Sequence, residues 1–205
     1  MPNREMVMKK RQLAPGIVVY SDVLENYDTL VQDIEEGLST SGQQWMQSSI
    51  QKDDKIQVDT NYRDTMLITI NYKDFIDEDF INLQDAFNSS LSNMFLTGFG
   101  PLESDYKQEH QLDTTSHEEY SILKYGEGQK FTNHIDDHKD HHRRMSWVYY
   151  INDDYTGGEI SFPRFNLTYK PVANEFIVFP SNYIYNHSVL PVIEGTRYAV
   201  VSWLK

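Results

Sequence analysis

Residues 130–152 read KFTNHIDDHKDHHRRMSWVYYIN. Two segments of strand character, 130–136 and 145–152, flank a loop crowded with histidine and aspartate. Residues two apart on a strand share a face, so His134 and Asp136 project together while Ile135 packs on the other side. Four of the seven histidines (His134, His138, His141 and His142) fall between 134 and 142, interleaved with Asp136, Asp137 and Asp140. Histidine and aspartate together suggest a metal, but the stretch holds more candidate ligands than one ion needs.

Working outward, the chain from 117 onward is a succession of short strands. HEEYSILKY, KFTNHID, MSWVYYIN, EISFP, LTYKP, EFIVFP, NHSVLPV and RYAVVSWL are rich in Tyr, Val, Ile and Phe. Gly, Pro and Asn separate them, as in Gly126-Glu127-Gly128 and Glu194-Gly195-Thr196. Eight strands without crossover helices predict a closed antiparallel barrel or jelly roll, whose mouth is a common ligand site. The first half is helical in character. Residues 22–38 carry apolar side chains at helical spacing from Val23 to Leu38, with Asp22 as N-cap, and 78–97 do so from Phe80 to Phe95. Met66–Tyr72 reads as a strand. The expected organisation is one domain over 1–205, mainly β with helical support (α+β): helices in 1–116 packed on a jelly-roll core in 117–205.

Bulk properties narrow the functions. The chain of 205 residues has 18 basic and 31 acidic side chains and a net charge of −13. Such a surface repels nucleic-acid phosphates and anionic membranes, so neither is an expected partner. Cysteine is absent, which removes disulfides, thiolate metal sites and cysteine nucleophiles. No apolar leader and no run of eighteen apolar residues is present, and a cytoplasmic location is expected.

His134 and Asp136 are two-thirds of a 2-His-1-carboxylate facial triad, the ligand set of non-heme Fe(II) oxygenases. Outside the cluster only His110, His117 and His187 remain to complete it. His187 lies in a late strand that a jelly roll could bring beside 134–136. Ten residues on, Arg197 opens the last strand with no acidic partner nearby in sequence, and guanidinium suits bidentate carboxylate recognition. Metal and arginine together would suit a chelating dicarboxylate.

The run from Tyr125 through Gly128, Phe131, His134 and Asp136 resembles the Y-x-x-G-x-x-[YF]-x-x-H-x-D region of prolyl 4-hydroxylases. Tyr150-Ile151-Asn152, Gly157-Gly158-Glu159, Phe162-Pro163, Asn186-His187, Thr196-Arg197-Tyr198-Ala199 and Trp203 follow in the family's order. The resemblance covers residues 120–204. It implies a double-stranded β-helix fold and a 2-oxoglutarate- and Fe(II)-dependent dioxygenase that uses O2, with ascorbate as reductant. On matching positions it implies that His134, Asp136 and His187 bind Fe(II). Arg197 and Tyr150 would hold the distal carboxylate of 2-oxoglutarate, and Tyr125 would line the pocket. Collagen-type members carry lysine at the position of Arg197, so the arginine looks more like the oxygen-sensing branch. The family's usual glycine before the sixth strand is replaced by Pro171-Val172-Ala173-Asn174, which puts that turn in question.

The implied substrate is a prolyl residue in a peptide or protein. A free amino acid or other small molecule shares the same core, and a non-catalytic cupin-type metal-binding jelly roll is the competing class. His138, His141 and His142, with Arg143 and Arg144, fall in a loop expected to overhang the site as a substrate lid. His110 and His117 are expected at the surface.

Overall fold

The computed structural model describes residues 9–52, 55–70, 83–139 and 142–205. The chain begins with the hairpin β1 (Lys9–Ala14) and β2 (Ile17–Ser21) and continues into α1 (Leu30–Ser41). Short strands follow: β3 (Met46–Gln47), β4 (Ile50–Lys52), β5 (Lys55–Gln57), β6 (Arg63–Asp64) and β7 (Met66–Ile70). The long helix α2 (Leu83–His110) leads to β8 (Tyr120–Tyr125), β9 (Lys130–His134) and β10 (Met145–Tyr150). Next come β11 (Thr156–Gly157), β12 (Ile160–Phe162), β13 (Leu167–Tyr169) and β14 (Glu175–Pro180). The last strands are β15 (His187–Val189), β16 (Val192–Glu194) and β17 (Arg197–Leu204).

Two antiparallel sheets form the body. The larger has the order β1-β2-β14-β10-β17-β8-β7-β3 and the smaller β13-β12-β15-β9-β6. The period-2 alternation of a strand explains how the larger sheet is covered on both sides. On β10, Met145, Trp147 and Tyr149 face the helices, while Val148 and Tyr150 face the smaller sheet. On β14, Phe176 and Val178 point to the helices and Ile177 and Phe179 to the smaller sheet. All six residues of β10 are buried, which is why MSWVYY reads as a continuous apolar run rather than an alternating one. Ile160, Phe162 and Val189 complete the inter-sheet core from the other side. This is the expected architecture of jelly-roll type with helical support.

The N-terminal half departs from expectation in its boundaries. Helix α1 starts at Leu30, after a 3-10 turn over Tyr27–Thr29. Asp22 is not its cap and takes a left-handed φ of 62°. Leu30, Ile34 and Leu38 still form the buried stripe. The second helix runs beyond 97 to His110, through Pro101. Residues 71–82, which include Phe80, Ile81 and the end of the expected 66–72 strand, lie outside the described residues. A proline inside a helix costs about 3 kcal/mol. Full burial of Phe99, Leu102 and Tyr106 on either side of it stabilises by about 1.5–3 kcal/mol for each large apolar side chain, enough to offset that loss. Phe99 alone meets Phe95, Trp147, Tyr149 and Phe176 at ring separations of 4.8–5.3 Å. The strands β1 and β2, absent from the expected set, extend the larger sheet through the pairing of β2 with β14. The expected strand 186–192 is two strands, β15 and β16, separated at Leu190 and Pro191, whose backbone groups bond instead to Glu159 and Gly158.

The turn before β14 forms without glycine. Asn174 adopts φ 65°, a region that asparagine tolerates better than most residues. Its buried amide then does what glycine cannot. Asn174 Oδ1 accepts hydrogen bonds from the Val23 and Leu24 amides and from Tyr149 Oη, and Nδ2 donates to the Leu24 carbonyl.

Candidate active site

The pairing of β9 with β15 places His187 directly opposite His134. The Nδ1 of His134 donates to the Thr132 carbonyl (2.8 Å) and that of His187 to the Tyr185 carbonyl (3.1 Å). A carbonyl can only accept, so each bond fixes the tautomer that leaves Nε2 with a free lone pair. Strand β9 ends at His134, and Asp136 follows in the bend beyond it. Its Oδ1 lies 3.5 Å from His134 Nε2 and its Oδ2 3.8 Å from His187 Nε2. Ile135 does not pack against the other side of the sheet, because the strand has already ended. It is 46% exposed at the rim of the cavity.

The three side chains offer ligand atoms that all lie within 4.8 Å of one another, and theirs is the only such grouping among the described residues. Burial works against the Asp136 carboxylate, but the neighbouring imidazoles and the Ser146 hydroxyl outweigh it, so its pKa stays below the ordinary carboxylate range. Burial, helped by His134, pushes His187 down to about 4. An ionised carboxylate beside a neutral imidazole is the protonation state that a metal requires of its ligands. Two imidazole nitrogens and one carboxylate suit a first-row divalent ion such as Fe(II). Phe131 stacks on His134 at 3.5 Å, and Phe162 and Phe179 flank His187, which holds both rings in place.

Arg197 stands in the same cavity, at the start of β17 and opposite Tyr125 in register. It is 1% exposed, and its Nε and Nη1 have no hydrogen-bond partner. Its Cζ lies 4.8 Å from the Tyr125 ring and 5.0 Å from the Tyr150 ring. The hydroxyls of Tyr150 and Tyr155 are also buried; they make no well-formed hydrogen bond, although both lie close enough to the guanidinium to interact with its charge. A buried guanidinium lacking a carboxylate is costly unless a ligand supplies the anion.

The glycine pair of the sequence has a steric reason here. Gly157 and Gly158 take φ values of +71° and +66°. A Cβ on Gly158 would come within 3.1 Å of Arg197 Cδ and 2.9 Å of the Tyr155 ring. Lys170 fastens this loop by donating to the carbonyls of Tyr155 and Gly157. Tyr155 escaped the sequence reading because it belongs to no strand. Its signal was its place two residues before the glycine pair.

The cavity holds about 380 Å³. Ile50, Ile56, Tyr62 and Arg63 line it from the first half of the chain, and His138, Arg143 and Trp203 from the second. Of the expected lid residues, His138 and Arg143 reach the cavity, His142 is exposed, and His141 lies outside the described residues. Arg143 forks onto Glu118 (3.0 and 2.6 Å) and covers Trp203. Arg144 is exposed and bonds the ends of β14 and β17 through its backbone. His117 is exposed, as expected, and its Nε2 also meets Glu103 at 2.9 Å while its ring packs on Tyr120 and Trp147. His110 is half-buried against Tyr106.

Residues 120–205 match the family model described as the 2OG-Fe(II) oxygenase superfamily. A PKHD-type hydroxylase of Prochlorococcus marinus is 34% identical over 84 residues, which are 38% of this chain and 37% of the relative. The chain therefore spans little more than a third of that protein's length. Several solved structures share the fold. The viral collagen prolyl hydroxylase of Paramecium Bursaria Chlorella virus-1, in its 2OG complex, aligns with a TM-score of 0.61 at 18% identity over 92% of this chain and 95% of its own. A prolyl-4-hydroxylase of Pseudomonas putida gives 0.63 at 20%, over 93% and 92%. A prolyl hydroxylase of Trichoplax adhaerens, in complex with a hypoxia inducible factor peptide fragment, gives 0.62 at 19%, over 92% and 83%. These likenesses show the jelly-roll fold.

Proposed function

We propose, from the premise that residues 120–205 are a 2OG-Fe(II) oxygenase domain, that the chain is a 2-oxoglutarate- and Fe(II)-dependent dioxygenase that hydroxylates a prolyl residue in a peptide or protein. The observation that carries the reading is the pairing, in one cavity, of the His134–Asp136–His187 cluster with a buried arginine that lacks an anion. His134, Asp136 and His187 hold Fe(II). Arg197, with the Tyr150 and Tyr155 hydroxyls, holds the distal carboxylate of 2-oxoglutarate, and Tyr125 walls that end. When bound, iron and 2-oxoglutarate supply the O2-dependent oxidation that places oxygen on a C–H bond and yields succinate and carbon dioxide. The protein supplies position and dryness. The carbonyls of Thr132 and Tyr185 lock the imidazoles, Phe131, Phe162 and Phe179 exclude water around them, and the tyrosines turn two hydroxyls toward the guanidinium. A cupin-type metal site has no use for that last group.

The proline preference is supported by the order of motifs and by the named activities of the three structural neighbours. Its test is product analysis by mass spectrometry, with Fe(II), O2, ascorbate and 2-oxoglutarate supplied alongside a pool of proline-containing peptides. Succinate together with a one-oxygen gain on proline is the expected result. Succinate without a modified peptide would move the substrate to small molecules. Neither product, with iron bound, would leave a metal-binding jelly roll that is not an oxygenase.

A further inference from the structure

The cavity holds three guanidiniums, and only two have an assignment. Arg197 faces the cosubstrate end, and Arg143 is neutralised by Glu118. Arg63 is left over. It sits on β6, opposite Phe131 in register, with its guanidinium 4.8 Å from the centre of the Phe131 ring. Phe131 in turn stacks on His134, so Arg63 and the metal cluster share contact with one aromatic ring. Its Nε is buried without a hydrogen-bond partner, and among the described residues no carboxylate pairs with it. The adjacent acid is committed elsewhere: Asp64 accepts from Gln47 and Gln129. Asp136, the one carboxylate among the described residues that line the cavity, acts on Arg63 only through its charge and bonds toward the two histidines.

A half-buried guanidinium whose Nε is buried without a partner, and which no described carboxylate pairs with, is unusual in a chain with a net charge of −13, where acids are plentiful. Its planar fork matches a carboxylate. We infer that Arg63 is a specificity residue that binds a carboxylate of the substrate next to the carbon that is oxidised. This rests on the oxygenase reading and narrows its substrate to an acid. The carboxylate belongs either to the hydroxylated residue itself, as in a free or C-terminal amino acid, or to an acidic side chain beside it in a peptide.

The test uses the full chain loaded with Co(II) and 2-oxoglutarate without O2, so that binding is read by calorimetry and no turnover occurs. Two probe pairs separate the sources: N-acetyl-L-proline against its amide, and acetyl-Ala-Pro-Glu-amide against the Gln peptide. Wild type is expected to prefer the acid in one pair by about ten- to hundredfold, the range of a charge-assisted hydrogen bond. Arg63→Met should erase the preference and Arg63→Lys keep part of it, with 2-oxoglutarate affinity equal in all three proteins. Absence of preference in both pairs overturns the inference, as does a preference that survives in Arg63→Met. A loss of 2-oxoglutarate affinity in Arg63→Met would also overturn it, by assigning the residue to the cosubstrate. Failure of the metal-loaded wild type to bind 2-oxoglutarate, seen before any probe is added, would instead bring down the oxygenase reading and this inference with it.

Discussion

Tyr149 and Tyr150 are neighbours on β10, and both are fully buried, yet their hydroxyls meet opposite conditions. Tyr149 Oη donates to Asn174 Oδ1 at 2.9 Å, while Tyr150 Oη makes no well-formed hydrogen bond. The difference follows the two faces of the larger sheet. On the helix-covered face, Tyr20, Tyr106 and Tyr198 also reach acceptors, namely Asp105, the Gly16 carbonyl and Glu35. On the inter-sheet face, Tyr150, Tyr155 and Arg197 leave donors open. The tyrosines of the helix-covered face find acceptors within the fold, although the indole Nε1 of Trp147 there does not. The other face withholds partners from costly buried groups, which is how a protein reserves them for a ligand.

Substitutions should separate these two faces. The largest effect is expected from Asp136→Ala, which should abolish turnover and weaken Fe(II) binding by more than the ~10–100-fold typical of losing a supporting group at a metal site. Titration with Fe(II) under argon reads it directly. Arg197→Met should come next, raising the Kd for 2-oxoglutarate by about 1.5–3 kcal/mol, the worth of a hydrogen bond to a charged group. Chemical denaturation of the same variant should show a smaller loss, since Arg197 has no carboxylate partner among the described residues and only its ring contacts with Tyr125 and Tyr150 are weakened.

The tyrosine pair gives a finer contrast. Tyr149→Phe should destabilise the fold by about 0.5–1.5 kcal/mol and leave 2-oxoglutarate affinity unchanged. Tyr150→Phe should do the reverse, with a similar energy appearing in cosubstrate binding alone. If both variants lost stability equally, the division between the faces would fail.

The smallest effect is a pH dependence on the helix-covered face. Burial alone would lower the pKa of His117, but its bond to Glu103 outweighs burial and raises it above the ordinary 6.5. The stabilisation from this pair is therefore full below about 6.5 and is lost as pH rises through the higher folded value. The stability advantage of wild type over His117→Gln should shrink across that interval. An advantage that grew with pH would contradict the assignment.

Legibility in the sequence tracked how much each residue's role depends on local context. His134 and Asp136 share a short stretch, and His187 and Arg197 lie in recognisable late strands, so their convergence could be expected from jelly-roll topology. The helix ends were harder. Pro101 signals a stop, and only the tertiary packing of Phe99 and Tyr106 against the larger sheet reverses it. Arg63 was missed because β6 is two residues long and its meaning comes from pairing with β9 far along the chain. The missing glycine before β14 looked like a defect from sequence alone, whereas Asn174 supplies both the backbone conformation and four hydrogen bonds.

The most direct test of the two-face account is calorimetric titration of 2-oxoglutarate into the Fe(II)-loaded protein without O2. Metal-free protein, Arg197→Met and Tyr149→Phe would be run beside it. The account predicts one binding event that requires iron, weakens at least about tenfold in Arg197→Met, and is unchanged in Tyr149→Phe. Equal binding without iron, or undiminished binding in Arg197→Met, would contradict it.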